Sequence, residues 1–408
     1  MSMTLASSEQ LAARGGAPVR TRPWPAWPVW DEEDARAVAD VVRSGKWFAS
    51  SGQKNKEFSE FYARLHAAKH AVPCCNGTQA LEIALRAAGV RAGDEVVTTP
   101  YTFIATASST VQVNAVPIFA DVDPDTLNLD AASVEAVLTE RTRAIIAVHV
   151  GGCPADLDAL AELARRKGLI LIEDAAQAHL AEWRGRPVGA IGKAGTFSFQ
   201  ASKNLNAGEG GVVLTDDEET FERAWSLANC GRVRNGGWYE HRMLSGNYRM
   251  SELQAALLLS QARRLEAQTD QRNENAHYLA AQLGEIPGIR PLARDPRVTR
   301  HAYHLFIFRY DGAEFGGMSR DEFLAALRAE GIPCSPGYSP LYRSPAFKID
   351  TNTHPFPARV DYSAVRLPAV EQACEEAVWL NQGLLLAEKA DMDDIVAAIR
   401  KIQAATRA

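Results

Sequence analysis

The chain contains no apolar run of the roughly 18 to 20 residues that a helical membrane span requires. Its N-terminus also lacks the charged-then-apolar pattern of a secretion signal. Both absences point to a cytoplasmic protein with no membrane partner. Its 44 lysines and arginines stand against 50 acidic residues, a formal net charge of -6, and they are scattered rather than gathered into a basic stripe. A nucleic-acid partner is therefore not expected, and small anionic ligands at local sites stay open. Cysteine is sparse. Cys74, Cys75, Cys153, Cys230, Cys334 and Cys374 form no CxxC pair and do not cluster with histidine, so no metal centre is expected. Cys74 and Cys75 are adjacent, but neighbours on a strand face opposite ways, and both read as packed thiols. No internal repeat and no low-complexity tract is present.

What is present is ordinary globular composition: 408 residues, 46% hydrophobic and 23% charged. That is enough for one large domain and a smaller one. Between about 70 and 215, short apolar runs at 96–97, 117–122, 144–150 and 169–174 alternate with helical segments. Such alternation predicts an α/β fold with crossover helices. Continuous hydrophobicity in Ile145-Ile146-Ala147-Val148 and Leu169-Ile170-Leu171-Ile172 predicts strands covered on both faces, hence a mostly parallel sheet. Segments 195–200 and 211–215 read as two further strands joined by a polar, glycine-containing loop. Helices are expected from Asp31, over 56–68, and from Ser251 toward Leu283. Prolines 287, 291 and 296 then mark a change of character. The division expected is a tail and Trp-Pro arm over 1–30, a large domain over 31–285 and a small α+β domain over 286–408. In the small domain, 304–310 reads as a strand and 319–330, 370–387 and 391–404 as helices.

Open α/β sheets bind ligands at the carboxyl ends of their strands, so the polar residues closing each apolar run carry the functional reading. Cys74-Cys75-Asn76-Gly77-Thr78 ends one strand and opens a helix at 79–88, placing backbone amides and a hydroxyl at a positive helix terminus. That is a seat for a phosphate, and equally an ordinary cap. Glu173-Asp174-Ala175-Ala176-Gln177 delivers carboxylates to another strand end. An acid there either holds a protonated ring nitrogen or is a solvated cap. Lys203 lies in the loop between two strands rather than on a solvated helix. A lysine amine with a lowered pKa can condense with an aldehyde and afterwards shuttle a proton.

These residues resemble a family, the DegT/DnrJ/EryC1/StrS group of pyridoxal-phosphate sugar and cyclitol aminotransferases, over roughly residues 15 to 400. The resemblance rests on Asn76-Gly77-Thr78-x-Ala80-Leu81, Thr99-Pro100-Tyr101-Thr102-Phe103-x-Ala105-Thr106, Asp121-Val122-Asp123, Glu173-Asp174-Ala175-Ala176-Gln177, the 198–211 run, and Gly246-Asn247-Tyr248-Arg249-Met250-Ser251. It implies the aspartate-aminotransferase-like fold type I, and pyridoxal 5'-phosphate bound as a Schiff base on Lys203. Asp174 is the implied partner of the ring nitrogen, Gln177 a contact on the phenolic side, and Phe103 the stacking ring. Gly77, Thr78 and Ser198 are implied phosphate ligands. Asn247 is implied to serve the phosphate of a neighbouring subunit, which makes the protein a homodimer with shared sites.

Among relatives, the opening Gly15-Gly16-Ala17-Pro18-Val19-Arg20 and the 199–204 segment look most like glutamine:scyllo-inosose aminotransferases. The implied reaction moves an amino group from L-glutamine or L-glutamate to a keto-cyclitol in secondary metabolism. Expected substrate contacts are the Lys46-Trp47-Phe48 segment, His179, Tyr338 and Tyr342, each of which is also a packing residue. A nucleotide-linked keto-sugar as acceptor, a 3-amino-5-hydroxybenzoate synthase-like aromatising reaction, and a non-catalytic regulatory homologue stay as alternatives. Lys203 argues against the related 3-dehydratases, which carry histidine there. Two departures stand out: Leu180 where many relatives have glycine, and the Cys74-Cys75 pair.

Overall fold

The computed structural model describes residues 10–347 and 360–407; residues 1–9 of the expected tail lie outside the described residues. Among the described residues the strands are β1 (His70–Cys74), β2 (Glu95–Thr98), β3 (Val116–Phe119), β4 (Thr142–Val148), β5 (Ile170–Asp174), β6 (Glu182–Trp183), β7 (Arg186–Pro187), β8 (Ala194–Ser198), β9 (Gly211–Thr215), β10 (Ile289–Pro291), β11 (Val298–Arg300), β12 (Leu305–Tyr310) and β13 (Ala377–Asn381). The α-helices are α1 (Glu32–Ser44), α2 (Lys54–Leu65), α3 (Gly77–Ala88), α4 (Ala105–Gln112), α5 (Ala131–Val137), α6 (Leu157–Lys167), α7 (Glu218–Ala228), α8 (Glu252–Gly284), α9 (Arg320–Ala329), α10 (Pro368–Glu376) and α11 (Lys389–Arg407).

Seven strands form one sheet in the order β1-β9-β8-β5-β4-β2-β3. Pairing is parallel from β8 through β5, β4 and β2 to β3, and β9 alone runs against its neighbours. Successive residues of each strand enter opposite layers: Val97, Ile145, Leu171 and Val212 pack into one core cluster, and Val96, Ile146, Ile172 and Val213 into the other. The continuous apolar runs follow from this, because both faces of the sheet are covered.

A second, three-stranded sheet, β10-β12-β13, packs with α9 and α11 around a separate cluster that includes Phe308, Phe323, Leu380 and Ile399. The N-terminal arm belongs to this cluster rather than trailing free. Leu11 is buried in it, Glu330 accepts the backbone N–H groups of Ala12 (2.8 Å) and Val19 (3.0 Å), and Arg20 pairs with Asp391 and Asp394.

Within the expected helix over 370–387 the structure places a break. α10 ends at Glu376 and the chain continues as β13, paired antiparallel to β12 from Leu305↔Asn381 to Arg309↔Ala377. Ala-Val-Trp-Leu has no helix-breaking residue, but the open edge of β12 supplies backbone partners and a buried face, and that tertiary pairing overrides local periodicity. The short strands β6, β7, β10 and β11 carry two or three residues each, too few to register as alternation.

Candidate active site

The carboxyl ends of β1, β4, β5 and β8 open onto a cleft of about 640 Å³, closed on its other side by His304, Leu305, Tyr338 and Trp379 from the C-terminal part. The volume is that of a small-molecule site. The cleft gathers Gly77, Thr78, Phe103, Asp174, Gln177, Ser198, Lys203 and Tyr338 from distant stretches of chain.

At one end, Asn76 caps α3 by accepting the Gln79 N–H at 2.9 Å, which leaves the first amides of the helix facing the cleft. A Cβ on residue 77 would stand 2.7 Å from Ser198 Cβ, so only glycine lets α3 approach β8 this closely. The hydroxyls of Thr78 and Ser198 line the same end. Amides at a positive helix terminus with two hydroxyls form a cradle suited to a dianion.

At the floor, Asp174 ends β5. Its carboxylate accepts the Thr106 hydroxyl at 2.7 Å and the Ala176 N–H at 3.3 Å. Burial pushes its pKa up, against these hydrogen bonds and the charge of Lys203. A buried carboxylate of this kind gains most from a cationic N–H donor. In the same cleft, burial lowers the Lys203 amine to about 8 while Asp174 pulls it back up. Among the described residues that line the cleft, Lys203 is the only lysine or arginine. Its loop is pinned by Ala201 N–H to Gly208 O (3.0 Å), by Trp27 Nε1 to Ala201 O (2.9 Å) and by Asn204 Nδ2 to Ala302 O (2.7 Å). Phe103 is 59% exposed, an open aromatic face at the cleft. Gln177 accepts the Gly151 N–H at 2.7 Å and donates to Tyr338 Oη at 2.9 Å. A phosphate cradle, a buried acid, a free aromatic face and an amine of lowered pKa together match pyridoxal phosphate.

The profile of the DegT/DnrJ/EryC1/StrS aminotransferase family matches residues 28–400. The chain belongs to this family. It is thus an aminotransferase with the fold type I architecture expected from the sequence. A protein of Streptoalloteichus tenebrarius, provisionally named L-glutamine:3-amino-2,3-dideoxy-scyllo-inosose aminotransferase, is 42% identical over 97% of this chain and 98% of its own length. The L-glutamine:2-deoxy-scyllo-inosose aminotransferase of Streptomyces paromomycinus is 38% identical over 97% and 98% of the two chains. Among solved structures, 3-amino-5-hydroxybenzoic acid synthase superposes with a TM-score of 0.87 at 34% identity, covering 96% of this aminotransferase and 100% of that chain.

Of the residues expected to touch substrate, only Tyr338 lines the cleft. His179 is fully buried beneath it. Its Nε2–H donates to Ser198 O at 2.9 Å and its Nδ1 accepts the Tyr62 hydroxyl at 2.8 Å, so it supports the strand that carries Ser198. Tyr342 is buried against Phe119 and donates to Glu371 at 2.7 Å. Trp47 is 55% exposed beside a groove between α1, α2 and α8, outside the cleft of this chain. Asn247 is exposed on the loop before α8 and likewise stands outside it. Leu180 adopts φ 62° and is buried in the core, so the leucine expected as a departure from the family pattern occupies the left-handed region rather than filling the cleft. Cys74 is buried and Cys75 half-buried, and both are free thiols. The sequence reading missed Thr106, which holds Asp174. It also missed Glu173, whose buried carboxylate gathers the N–H groups of Gly189, Ile191 and Gly192 at 2.7 Å each.

Proposed function

We propose that this aminotransferase holds pyridoxal 5'-phosphate on Lys203 and moves an amino group from L-glutamine, or L-glutamate, to a keto-cyclitol in the cytoplasm. The observation that carries the reading is the electrostatic pairing of Lys203 and Asp174 in one cleft that has no other lysine or arginine among its described lining. The inosose substrates in the names of relatives 42% and 38% identical over nearly the whole chain support the acceptor class. When bound, the cofactor supplies an aldehyde for the amino group and a ring that takes up the electron pair left at the substrate's α-carbon.

This chain's residues do the rest. The Gly77 and Thr78 amides with the Thr78 and Ser198 hydroxyls bind the phosphate. Phe103 would cover one face of the ring, and Gln177 would meet its phenolic edge. Asp174 keeps a proton on the ring nitrogen. Lys203, released once the substrate's amino group takes its place, would carry a proton between the substrate's α-carbon and the carbon of the cofactor's aldehyde, and burial, which lowers the amine to about 8, favours the free base that this needs. Asn247, exposed outside its own cleft, serves the phosphate of a second copy, so that the functional unit is a homodimer.

The test incubates the loaded protein with glutamine, glutamate and alanine separately, then offers a panel of ketones and reads product mass. An amino-cyclitol formed from glutamine or glutamate is expected. A product lighter by water and aromatic favours the 3-amino-5-hydroxybenzoate synthase alternative, whose fold superposes closely. Lys203→Ala abolishes transfer together with the absorption band of cofactor linked through that lysine, and transfer at the wild-type rate in that variant overturns the assignment.

A further inference from the structure

The cleft holds one basic nitrogen that amino transfer as described leaves unused. His304 immediately precedes β12, is only 8% exposed, and lines the cleft. Its tautomer follows from its neighbours. Asn204 Nδ2 donates to Ala302 O at 2.7 Å, and because a carbonyl only accepts, the Asn204 oxygen is the end that faces His304. That oxygen lies 3.2 Å from His304 Nδ1, so Nδ1 carries the hydrogen.

Burial, and then the nearby positive charge of Lys203, hold the ring well below its usual pKa and keep it neutral. Nε2 is left as a bare lone pair. No hydrogen bond reaches it among the described residues, and unlike Nε2 of His66 and His277 it is not sealed from solvent.

Such an atom accepts and cannot donate. It disfavours carboxylate, phosphate and carbonyl oxygens and selects an O–H or N–H group. Asn204 is the residue next to Lys203, so the imidazole is registered to the reacting amine through one side chain. A hydroxyl on the carbon adjacent to the ketone lies one bond from the reaction centre, whereas the carboxamide of glutamine stands two methylenes from its α-carbon. We infer that His304 Nε2 accepts a hydrogen bond from the hydroxyl next to the acceptor's ketone, making His304 the residue that selects α-hydroxy ketones of ring polyols. This rests on the keto-cyclitol reading and adds to it the group that recognises the acceptor. Asn204 is a positioning residue that fixes the tautomer.

The experiment separates the two half-reactions of the loaded protein. L-glutamine is mixed with the pyridoxal form, and 2-deoxy-scyllo-inosose with the amino form, each followed by the visible absorption of the cofactor. His304→Phe is expected to lower kcat/KM for the inosose by about tenfold. The glutamine half-reaction, the Kd for the cofactor and the melting temperature should stay within about twofold and a few degrees of wild type. An unchanged inosose half-reaction overturns the inference. So does a parallel fall in both halves, which assigns His304 to support of the Lys203 loop, and so does a fall in the glutamine half alone, which assigns it to the donor carboxamide. Where His304→Phe does not fold, His304→Leu, which likewise offers no acceptor, carries the same comparison. If wild-type protein aminates no ring-polyol ketone, the keto-cyclitol reading itself fails, an outcome distinct from a variant that matches an active wild type.

Discussion

Burial lowers the amine of Lys203 to about 8, and Asp174 is the charge that opposes the fall. The sign gives a prediction for the cofactor-free protein. An ammonium taken out of water loses its proton more readily, so reductively methylated Lys203, followed by NMR and identified by its loss in Lys203→Ala, should titrate with a midpoint near 8. A midpoint near the ordinary 10.5 contradicts this. Asp174→Asn removes that opposing attraction and should move the midpoint lower still. At this scale Lys203, Asp174, Gly77 and Thr78 were readable in the sequence because each closes or follows an apolar run, Phe103 and Ser198 came only from the family resemblance, and the cleft contains all six. His179 follows the same strand end by a few residues but turns into the core, where Tyr62 and Ser198 hold it. Chain position does not distinguish a polar side chain facing a cleft from one satisfied beneath it.

Two helices lack a capping side chain of their own and receive a carboxylate from elsewhere. α2 begins after Gln53, which makes no cap bond. Glu252, at the start of α8, accepts the N–H groups of Lys54 at 2.7 Å and Asn55 at 2.8 Å. α10 begins after Leu367, and Asp121 accepts the N–H groups of Ala369 and Val370 at 3.0 and 2.9 Å. The second case gives Asp121 of the Asp121-Val122-Asp123 motif a structural role. Glu252 is 1% exposed, so Glu252→Ala strands two amides and should destabilise the protein by about 2 kcal/mol, measured by urea unfolding. A loss under half of that would mean water replaces the carboxylate. At the α3–β8 seam, Gly77→Ala places a Cβ against Ser198. The seam must open, and the Kd for pyridoxal phosphate should rise at least tenfold. Unchanged affinity would remove the seam from the phosphate cradle.

Over the whole molecule, buried neutral histidines set a lower pH limit. His66 and His179 are both buried against Tyr62, and burial takes them down to about 4 and about 3. The unfolded chain binds their protons near pH 6.5 and the folded one does not. Their contribution is therefore intact above pH 6.5 and is lost as pH falls from there toward 4. At pH 5 each should cost up to about 2 kcal/mol, and His179→Gln should flatten the decline in unfolding free energy between pH 6.5 and 5. An equally steep decline in that variant would place the acid sensitivity elsewhere.

The parallel core, the helix starts at Asp31 and Ser251 and the strand-end motifs were determined by the sequence alone, because two-sided burial, capping chemistry and strand-terminal polarity are local patterns. Only the tertiary structure decided that β13 is a strand, that the N-terminal arm belongs to the C-terminal core, that His179 supports the site instead of lining it, and that the Nε2 of His304 is bare. Each depends on a partner far away in the chain, such as β12, Glu330, Tyr62 or Asn204, and no local pattern encodes which distant group arrives to satisfy an exposed backbone edge or a buried polar atom.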